Sequence, residues 1–122
     1  MSVPILRQGD VLIASIQVAQ TDDELLELRD RLTHQVGSSR VRGVIIDVTA
    51  LDVMDSFATR TLRSVAYSTR LRGAHTVVVG IQPEVAFSMV QLGLELGAVS
   101  TALDLDDAIE QLRARHREEP RA

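Results

Sequence analysis

The run Val44-Ile45-Ile46-Asp47-Val48 is almost continuously apolar and β-branched, a pattern typical of a strand that is covered on both faces. After a short segment, Asp55-Ser56 opens a helical pattern that continues to Leu71. One face of this helix carries the residues that we expect in the core, namely Ala58, Leu62, Val65, Ala66 and Thr69. A buried strand followed by a helix that covers it is the repeating unit of α/β proteins, so we expect a mostly parallel sheet.

The residues before this strand predict a hairpin and a helix. Apolar runs at 3–6 and 11–18 flank the turn sequence Gln8-Gly9-Asp10, which favours an antiparallel pair of strands. Thr21 and Glu24 have the spacing of a capping box, in which each side chain accepts a hydrogen bond from the backbone N–H of the other residue. A helix is therefore expected after Thr21.

The residues after it repeat the alternation of strand and helix. We expect a buried strand at 76–79, a helix from Pro83 through Leu94 and a short edge strand at 99–102. Asp104 is the expected cap of a last helix. The residues of that helix expected to face inward are Leu105, Ala108, Ile109 and Leu112.

Length and element order together predict one α/β domain, with a mixed, mostly parallel sheet, an N-terminal antiparallel hairpin and about four helices. The chain has 122 residues, of which 45% are hydrophobic and 25% are charged, a balance typical of a single globular domain. We expect the domain to span residues 1–117 and residues 118–122 to form a disordered tail.

Several residue types that carry chemistry are missing. There is no cysteine and all 13 basic residues are arginine, which excludes disulfides, thiolate metal sites and a catalytic lysine. The aromatic residues are Phe57, Tyr67 and Phe87, and the net charge is -4, which argues against nucleic acid or an anionic membrane as a partner. No standard catalytic, metal or cofactor motif is visible.

No apolar run approaches the roughly 20 residues of a membrane span. The first residues also lack the basic and apolar regions of a signal peptide. These two observations predict a cytoplasmic protein.

Three carboxylates lie between the end of the buried strand and the start of the following helix, those of Asp47, Asp52 and Asp55. Binding sites of parallel α/β folds gather at the C-terminal ends of the strands. The carboxylates could cap the helix or bind a divalent cation. They could also form an acidic phosphoacceptor pocket like that of a response regulator, but such a pocket needs a lysine, which this chain lacks.

Ser56 stands at the expected start of the helix and has two open interpretations. As an N-cap, its hydroxyl would stabilise the helix by about 1 kcal/mol. As a phosphorylation site, it would gain a charge of about −1.5 to −2, which the helix dipole tolerates at this end. Phosphorylation would then change what binds the surface while leaving the fold intact.

The other face of the same helix carries an arginine-rich stripe. Arg60, Arg63, Tyr67 and Arg70 lie within about 80° of one another on the helical wheel, opposite the apolar face. Such a stripe is either a solvated helix face or a protein-contact surface, since arginine and tyrosine are enriched in interfaces. The pattern alone leaves both interpretations open.

Several segments resemble the sulfate-transporter and anti-sigma-factor-antagonist (STAS) domain family. They are Val3-Pro4-Ile5-Leu6, Val44-Ile45-Ile46-Asp47-Val48, Asp55-Ser56-Phe57, Gly80-Ile81-Gln82-Pro83-Glu84-Val85-Ala86 and Thr101-Ala102-Leu103-Asp104-Leu105. The resemblance extends over nearly the whole chain and is strongest for the scaffold type of the stressosome (RsbS type).

The resemblance implies a non-enzymatic interaction protein without cofactor or metal. Proteins of this type form a large assembly with copies of themselves and with paralogous STAS proteins that carry sensory N-terminal domains. The assembly sequesters a serine/threonine switch kinase with a histidine-kinase-type ATP-binding fold. Phosphorylation of the serine that corresponds to Ser56 releases the kinase, and a phosphatase resets the scaffold. Candidate residues for the kinase contact are Asp55, Phe57, Arg60, Arg63 and Tyr67.

Two alternatives remain open. The first is a free-standing anti-sigma-factor antagonist that binds an anti-sigma kinase. Antagonists of that kind usually continue Asp-Ser with Ser/Thr-Gly-Leu, whereas Phe57-Ala58-Thr59 follows here, which favours the scaffold type. The second is a small-ligand or cation-binding domain that uses the carboxylates of Asp47, Asp52 and Asp55.

Overall fold

The computed structural model describes residues 2–97 and 99–118. The elements follow in the order β1 (Ile5–Gln8), β2 (Val11–Ser15), α1 (Asp22–Ser38), β3 (Gly43–Asp47), α2 (Ser56–Leu71), β4 (His75–Val79), α3 (Pro83–Gln91), β5 (Ser100–Ala102) and α4 (Leu105–Glu118). This order confirms the predicted alternation of strand and helix. Of the predicted tail at 118–122, Glu118 ends α4 and the other four residues lie outside the described part of the chain.

The strands form one sheet in the order β1-β2-β3-β4-β5. β1 and β2 are antiparallel and are joined by a turn in which Gly9 has a φ of 61°. The pairs β2–β3, β3–β4 and β4–β5 are parallel. The predicted N-terminal hairpin and mostly parallel sheet are therefore confirmed.

β3 lies at the centre of the sheet and is buried on both faces. Because successive side chains of a strand point to opposite faces, its apolar residues belong to two separate cores. Val44 and Ile46 pack with residues of α1, α2 and α3, whereas Ile45 packs with Ala108 and Leu112 of α4. The nearly continuous apolar pattern of β3 is thus explained by its burial on both faces, as the sequence predicted.

The capping box predicted for α1 is present. The Thr21 hydroxyl accepts a hydrogen bond from the backbone N–H of Glu24 at 3.2 Å. The Glu24 carboxylate accepts one from the backbone N–H of Thr21 at 2.9 Å, and this bond lowers the pKa of the Glu24 carboxyl. The first turn of α1 is therefore held by the two residues that its sequence pattern singled out.

The parallel strands give the sheet two chemically distinct edges. The C-terminal ends of β2, β3 and β4 share one edge, and the loop from β3 into α2 lies there. Their N-terminal ends share the opposite edge with the β1–β2 turn. No helix in residues 2–97 and 99–118 combines the length and apolar character needed to cross a membrane.

α3 is shorter than expected. It ends at Gln91 instead of Leu94, because Gly93 adopts a φ of 67° that a right-handed helix cannot continue through. Leu94 therefore lies in the following loop, where it packs against the main core. Val90, an apolar residue near the end of this helix, is 77% exposed.

Leu105 does not face inward as predicted. It is the first residue of α4 and is 37% exposed, whereas Ala108 and Leu112 are buried. The buried face of α4 therefore begins at Ala108, one turn after the start of the helix.

Gly80 follows β4 and packs against the loop that follows β3. Its φ is 78°, and a Cβ atom on it would meet the hydroxyl of Thr49 and lie 3.1 Å from Thr49 Cα. Gly73 also has a left-handed φ, 95°, but a Cβ atom there would have nothing within 4 Å. A side chain at either glycine would therefore strain the backbone, because both have a left-handed φ. At Gly80 the added Cβ atom would also clash with Thr49.

We expect Gly80→Ala to lower the free energy of unfolding by more than Gly73→Ala does, with an excess of about 1–3 kcal/mol from overpacking. Chemical denaturation followed by circular dichroism measures both values. Equal losses in the two variants would show that the approach to Thr49 does not constrain the loop.

Candidate functional site

The loop between β3 and α2 starts at Asp47, the last residue of β3. The Asp47 carboxylate accepts hydrogen bonds from the backbone N–H of Thr49 at 2.9 Å and from its hydroxyl at 2.6 Å. The Thr49 carbonyl accepts a bond from the side-chain amide of Gln82, the N-cap of α3, at 2.8 Å. Asp47 therefore holds the geometry of this loop and, through Thr49, connects it to α3.

Both ends of the loop are anchored in the core. Val48 and Met54 are buried, and the Val48 N–H donates to the carbonyl of Val79 at 2.9 Å. Between these anchors Asp52 and Val53 are exposed, Val53 to 71%. The loop thus presents a short exposed segment directly before α2.

Asp55, and not Ser56, is the N-cap of α2. The Asp55 carboxylate accepts a hydrogen bond from the backbone N–H of Ala58 at 2.7 Å, and Ser56 is the first helical residue. The interpretation of Ser56 as the N-cap is therefore wrong, because the preceding carboxylate already fills that position. Among residues 2–97 and 99–118 the Ser56 hydroxyl has no hydrogen-bond partner.

The other hydroxyls in the first two turns of α2 are committed to the helix. Thr59 is fully buried, and its hydroxyl donates to the carbonyl of Asp55 at 3.1 Å. Thr61 is 6% exposed, and its hydroxyl donates to the carbonyl of Phe57 at 2.8 Å. Ser56, which is only half-buried, therefore carries the accessible hydroxyl of this part of the helix.

The first turn of α2 differs in charge from the first turns of the other described helices. The first turns of α1, α3 and α4 carry the acidic residues Asp22, Asp23, Glu24, Glu84, Asp106 and Asp107. The first turn of α2 contains none, although Asp55 is its N-cap and Asp52 lies in the preceding loop. The positive end of this helix dipole can therefore accept further negative charge at Ser56.

The carboxylates of Asp47, Asp52 and Asp55 do not assemble into a metal site. Within residues 2–97 and 99–118, no group of three or more His, Asp or Glu side chains is placed to hold a metal ion. Asp47 is bonded to Thr49 and Asp55 caps α2, so two of the three carboxylates already have local structural roles. The cation-binding alternative finds no support in this arrangement.

The arginine-rich stripe of α2 is only partly open to solvent. Arg60 is exposed, and Tyr67 is 52% exposed. Arg63 is half-buried and donates from Nη1 to the carbonyl of Glu95 in the loop after α3, at 2.9 Å. A Cβ atom on Gly97 would lie 2.6 Å from Tyr67 Oη and 3.1 Å from Arg63 Cδ, so this loop packs closely on the stripe. Arg63 therefore positions a neighbouring loop, which a helical wheel could not reveal.

α3 adds exposed apolar surface that the sequence prediction missed. Phe87 and Val90 are 70% and 77% exposed, and Leu92 at the helix end is 61% exposed. Exposed apolar groups that lie together often mark protein contacts. The sequence could have indicated this surface. The helix contains apolar residues beyond Val85 and Met89, the two that its buried face holds.

The family model of the STAS domain matches residues 5–108. Among curated proteins, the RsbT co-antagonist protein RsbRA of Bacillus subtilis (strain 168) is 28% identical over 111 residues, which cover 90% of this chain and 40% of RsbRA. The chain thus spans less than half the length of the first curated relatives that it matches.

Two solved structures are similar over nearly the whole chain. A serine-to-glutamate variant of RsbS from Moorella thermoacetica is 32% identical with a TM-score of 0.81, covering 94% of this chain and 97% of that one. A chain from the stressosome, described as a signal integration and transduction hub, is 32% identical with a TM-score of 0.78, covering 93% of this chain and 99% of that one. The chain therefore belongs to the STAS domain family and is similar to the stressosome protein RsbS.

Proposed function

We propose that this protein is a non-enzymatic scaffold and antagonist in a cytoplasmic stressosome-type assembly. It sequesters a serine/threonine switch kinase and releases that kinase when Ser56 is phosphorylated. The observation that carries the proposal is the state of Ser56. Ser56 is the first residue of α2 and follows the exposed loop residues Asp52 and Val53, and its hydroxyl has no partner among the described residues. The similarity to RsbS supports the assembly part of the proposal.

Phosphorylation of Ser56 would change the surface without unfolding the domain. A phosphate adds a charge of about −1.5 to −2. The unpaired N–H groups and the dipole at the start of α2 stabilise that charge locally. Asp52 and Asp55, which both precede Ser56, are exposed, so the added phosphate makes this segment strongly acidic. A kinase bound over the unmodified serine would then have to desolvate a phosphate, and it dissociates.

The proposed partners are further copies of this chain, paralogous STAS proteins with sensory N-terminal domains, the kinase and a resetting phosphatase. The kinase is expected to have a histidine-kinase-type ATP-binding fold. RsbRA supports the class of longer paralogues, because the match with this chain accounts for only 40% of its length.

The kinase contact is proposed to surround Ser56 at the C-terminal edge of the sheet. Its candidate residues are Asp55, Phe57, Arg60, Arg63 and Tyr67. Arg60 and Tyr67 are exposed and available for direct contact. Arg63 acts by holding the loop after α3 against α2.

Incubation with the cognate kinase and ATP is expected to add a single phosphate, at Ser56. Intact mass and peptide mapping measure the number and the position of the phosphates. Thr59 and Thr61 are internal controls, because their hydroxyls are buried and bonded to helix carbonyls. Phosphate on either threonine, or none at all, would contradict the proposal.

Two substitutions at the same position serve as controls for this experiment. Ser56→Asp adds negative charge and should weaken kinase retention, whereas Ser56→Ala adds none and should preserve it. The retention of kinase on immobilised protein gives both values. If the two variants hold the kinase equally, the charge switch is not the mechanism of release.

Arg60→Glu is expected to weaken kinase binding by about tenfold or more while leaving the free energy of unfolding unchanged. Arg60 is exposed and has no partner among the described residues, so its reversal disturbs only a contact. Arg63→Glu should lower both binding and stability, because it also loses the bond to the Glu95 carbonyl. Titration calorimetry and denaturation curves measure the two quantities.

The matched control for this face is Arg40→Glu. Arg40 is an exposed arginine before the start of β3, at the opposite edge of the sheet. If Arg40→Glu loses as much kinase binding as Arg60→Glu, the loss reflects the change in net charge and not a direct contact between Arg60 and the kinase. That result would contradict the proposed contact at Arg60.

Mixing with a paralogous STAS protein that carries a sensory domain is expected to give a very large particle. Light scattering after size-exclusion chromatography measures its mass, with the chain alone as the control. A mixture that contains only separate monomers or dimers would instead favour the free-standing antagonist.

A further inference from the structure

A cavity of about 220 Å³ lies at the edge of the sheet opposite to Ser56. Its walls are the β1–β2 turn at 8–10, the starts of β3 and β4, and one face of α4. None of the residues proposed for the kinase switch lines it. It is therefore separate from the surface around Ser56.

The floor of this cavity is apolar. Val11 and Ile13 of β2 line it together with Ile109 and Leu112 of α4. Gly43 completes the floor, and a Cβ atom on it would lie 2.6 Å from Leu112 Cδ1. Glycine at this position therefore lets α4 approach the start of β3, while the β2 side of the same sheet face is left uncovered by the helix.

The rim of the cavity is cationic in a protein whose net charge is -4. Arg42 and Arg113 line it, and Asp10 contributes the one carboxylate among its lining residues. Arg42 has no ion pair among residues 2–97 and 99–118, and its Nη1 lies 3.1 Å from Nδ1 of His116. Arg113 has no hydrogen bond or ion pair with any residue in the described part of the chain.

A second contact between a guanidinium and an imidazole adds to the excess of positive charge near the cavity. Nη1 of Arg115 lies 3.4 Å from Nδ1 of His75, and His75 and His116 both line the cavity. Imidazole nitrogens that face guanidinium groups accept hydrogen bonds without neutralising the charge. The mouth of the cavity thus keeps a positive potential that a bound anion would neutralise.

We propose that this cavity binds a small organic anion, namely a monocarboxylate with an apolar body. The apolar floor receives the body, and the guanidiniums of Arg113 and Arg42 receive the carboxylate, with which arginine forms its strongest hydrogen bonds. A volume of 220 Å³ corresponds to about seven water molecules, which limits the ligand to a short chain or a single ring.

Hexanoate is the probe for this proposal, and hexanamide is its control, because the two share an apolar body and differ in charge. Backbone amide signals of glycine in ¹⁵N-labelled protein report the site. Gly9 and Gly43 line the cavity, whereas Gly80 lies at the opposite edge of the sheet. We expect saturable shifts of Gly9 and Gly43 with hexanoate, and binding at least about tenfold weaker with hexanamide.

Arg113→Gln should weaken hexanoate binding by about tenfold. Arg117→Gln is the matched control, because Arg117 is exposed on the same helix, lies outside the cavity and is 3.4 Å from the Glu110 carboxylate. The proposal is overturned by an absence of saturable shifts, by equal binding of acid and amide, or by equal effects of the two variants. Phosphorylation of Ser56 in Arg113→Gln is expected to be unchanged, which separates this test from that of the kinase switch.

Discussion

The burial of β3 on both of its faces dictates where polar chemistry can occur in this molecule. Val44, Ile45 and Ile46 are fully buried, and both edges of the strand pair with β2 and β4. No polar side chain fits within such a strand without losing its hydration. Polar groups are therefore displaced to the two ends of the strand, to Asp47 on one side and to Arg42 on the other. The loop from Asp47 to Ser56, where we propose the phosphorylation switch, and the cationic cavity both follow from this displacement.

At the Asp47 end, helix capping and the switch hydroxyl belong to different residues. Asp55 accepts the first-turn hydrogen bond of α2, and Ser56 beside it is left uncommitted. A serine that capped the helix itself would have to break its bond before entering a kinase active site, at a cost of about 1 kcal/mol. With Asp55 as the cap, modification of Ser56 is separated from the stability of α2. This separation suits the repeated phosphorylation and reset that we propose for Ser56.

The features that could be predicted from the sequence are those that depend on residues close together in the chain. The buried run of β3 and the opening of α2 near Ser56 needed only neighbouring residues, and the family resemblance added the role of the serine. The sequence left the N-cap of α2 open between Asp55 and Ser56, because periodicity cannot resolve a helix boundary to one residue. The bond from Arg63 to the Glu95 carbonyl joins residues 32 positions apart, and the contact between Arg42 and His116 joins residues 74 positions apart. Contacts of that kind exist only after folding, so the partly covered stripe and the cavity had no signal in the sequence.

β3 also determines how the two edges can influence each other. Gly43 lines the cavity, and Asp47 begins the loop between β3 and α2. These two residues are the ends of β3, and a strand of this length separates them by about 13 Å. That distance exceeds the Debye length of about 8 Å at physiological ionic strength. A phosphate on Ser56, which lies beyond Asp47, therefore exerts little direct field on the exposed guanidiniums around the cavity. Any coupling between the two ends of β3 therefore has to be mechanical. It would depend on small displacements of side chains in the close-packed cores on either side of β3.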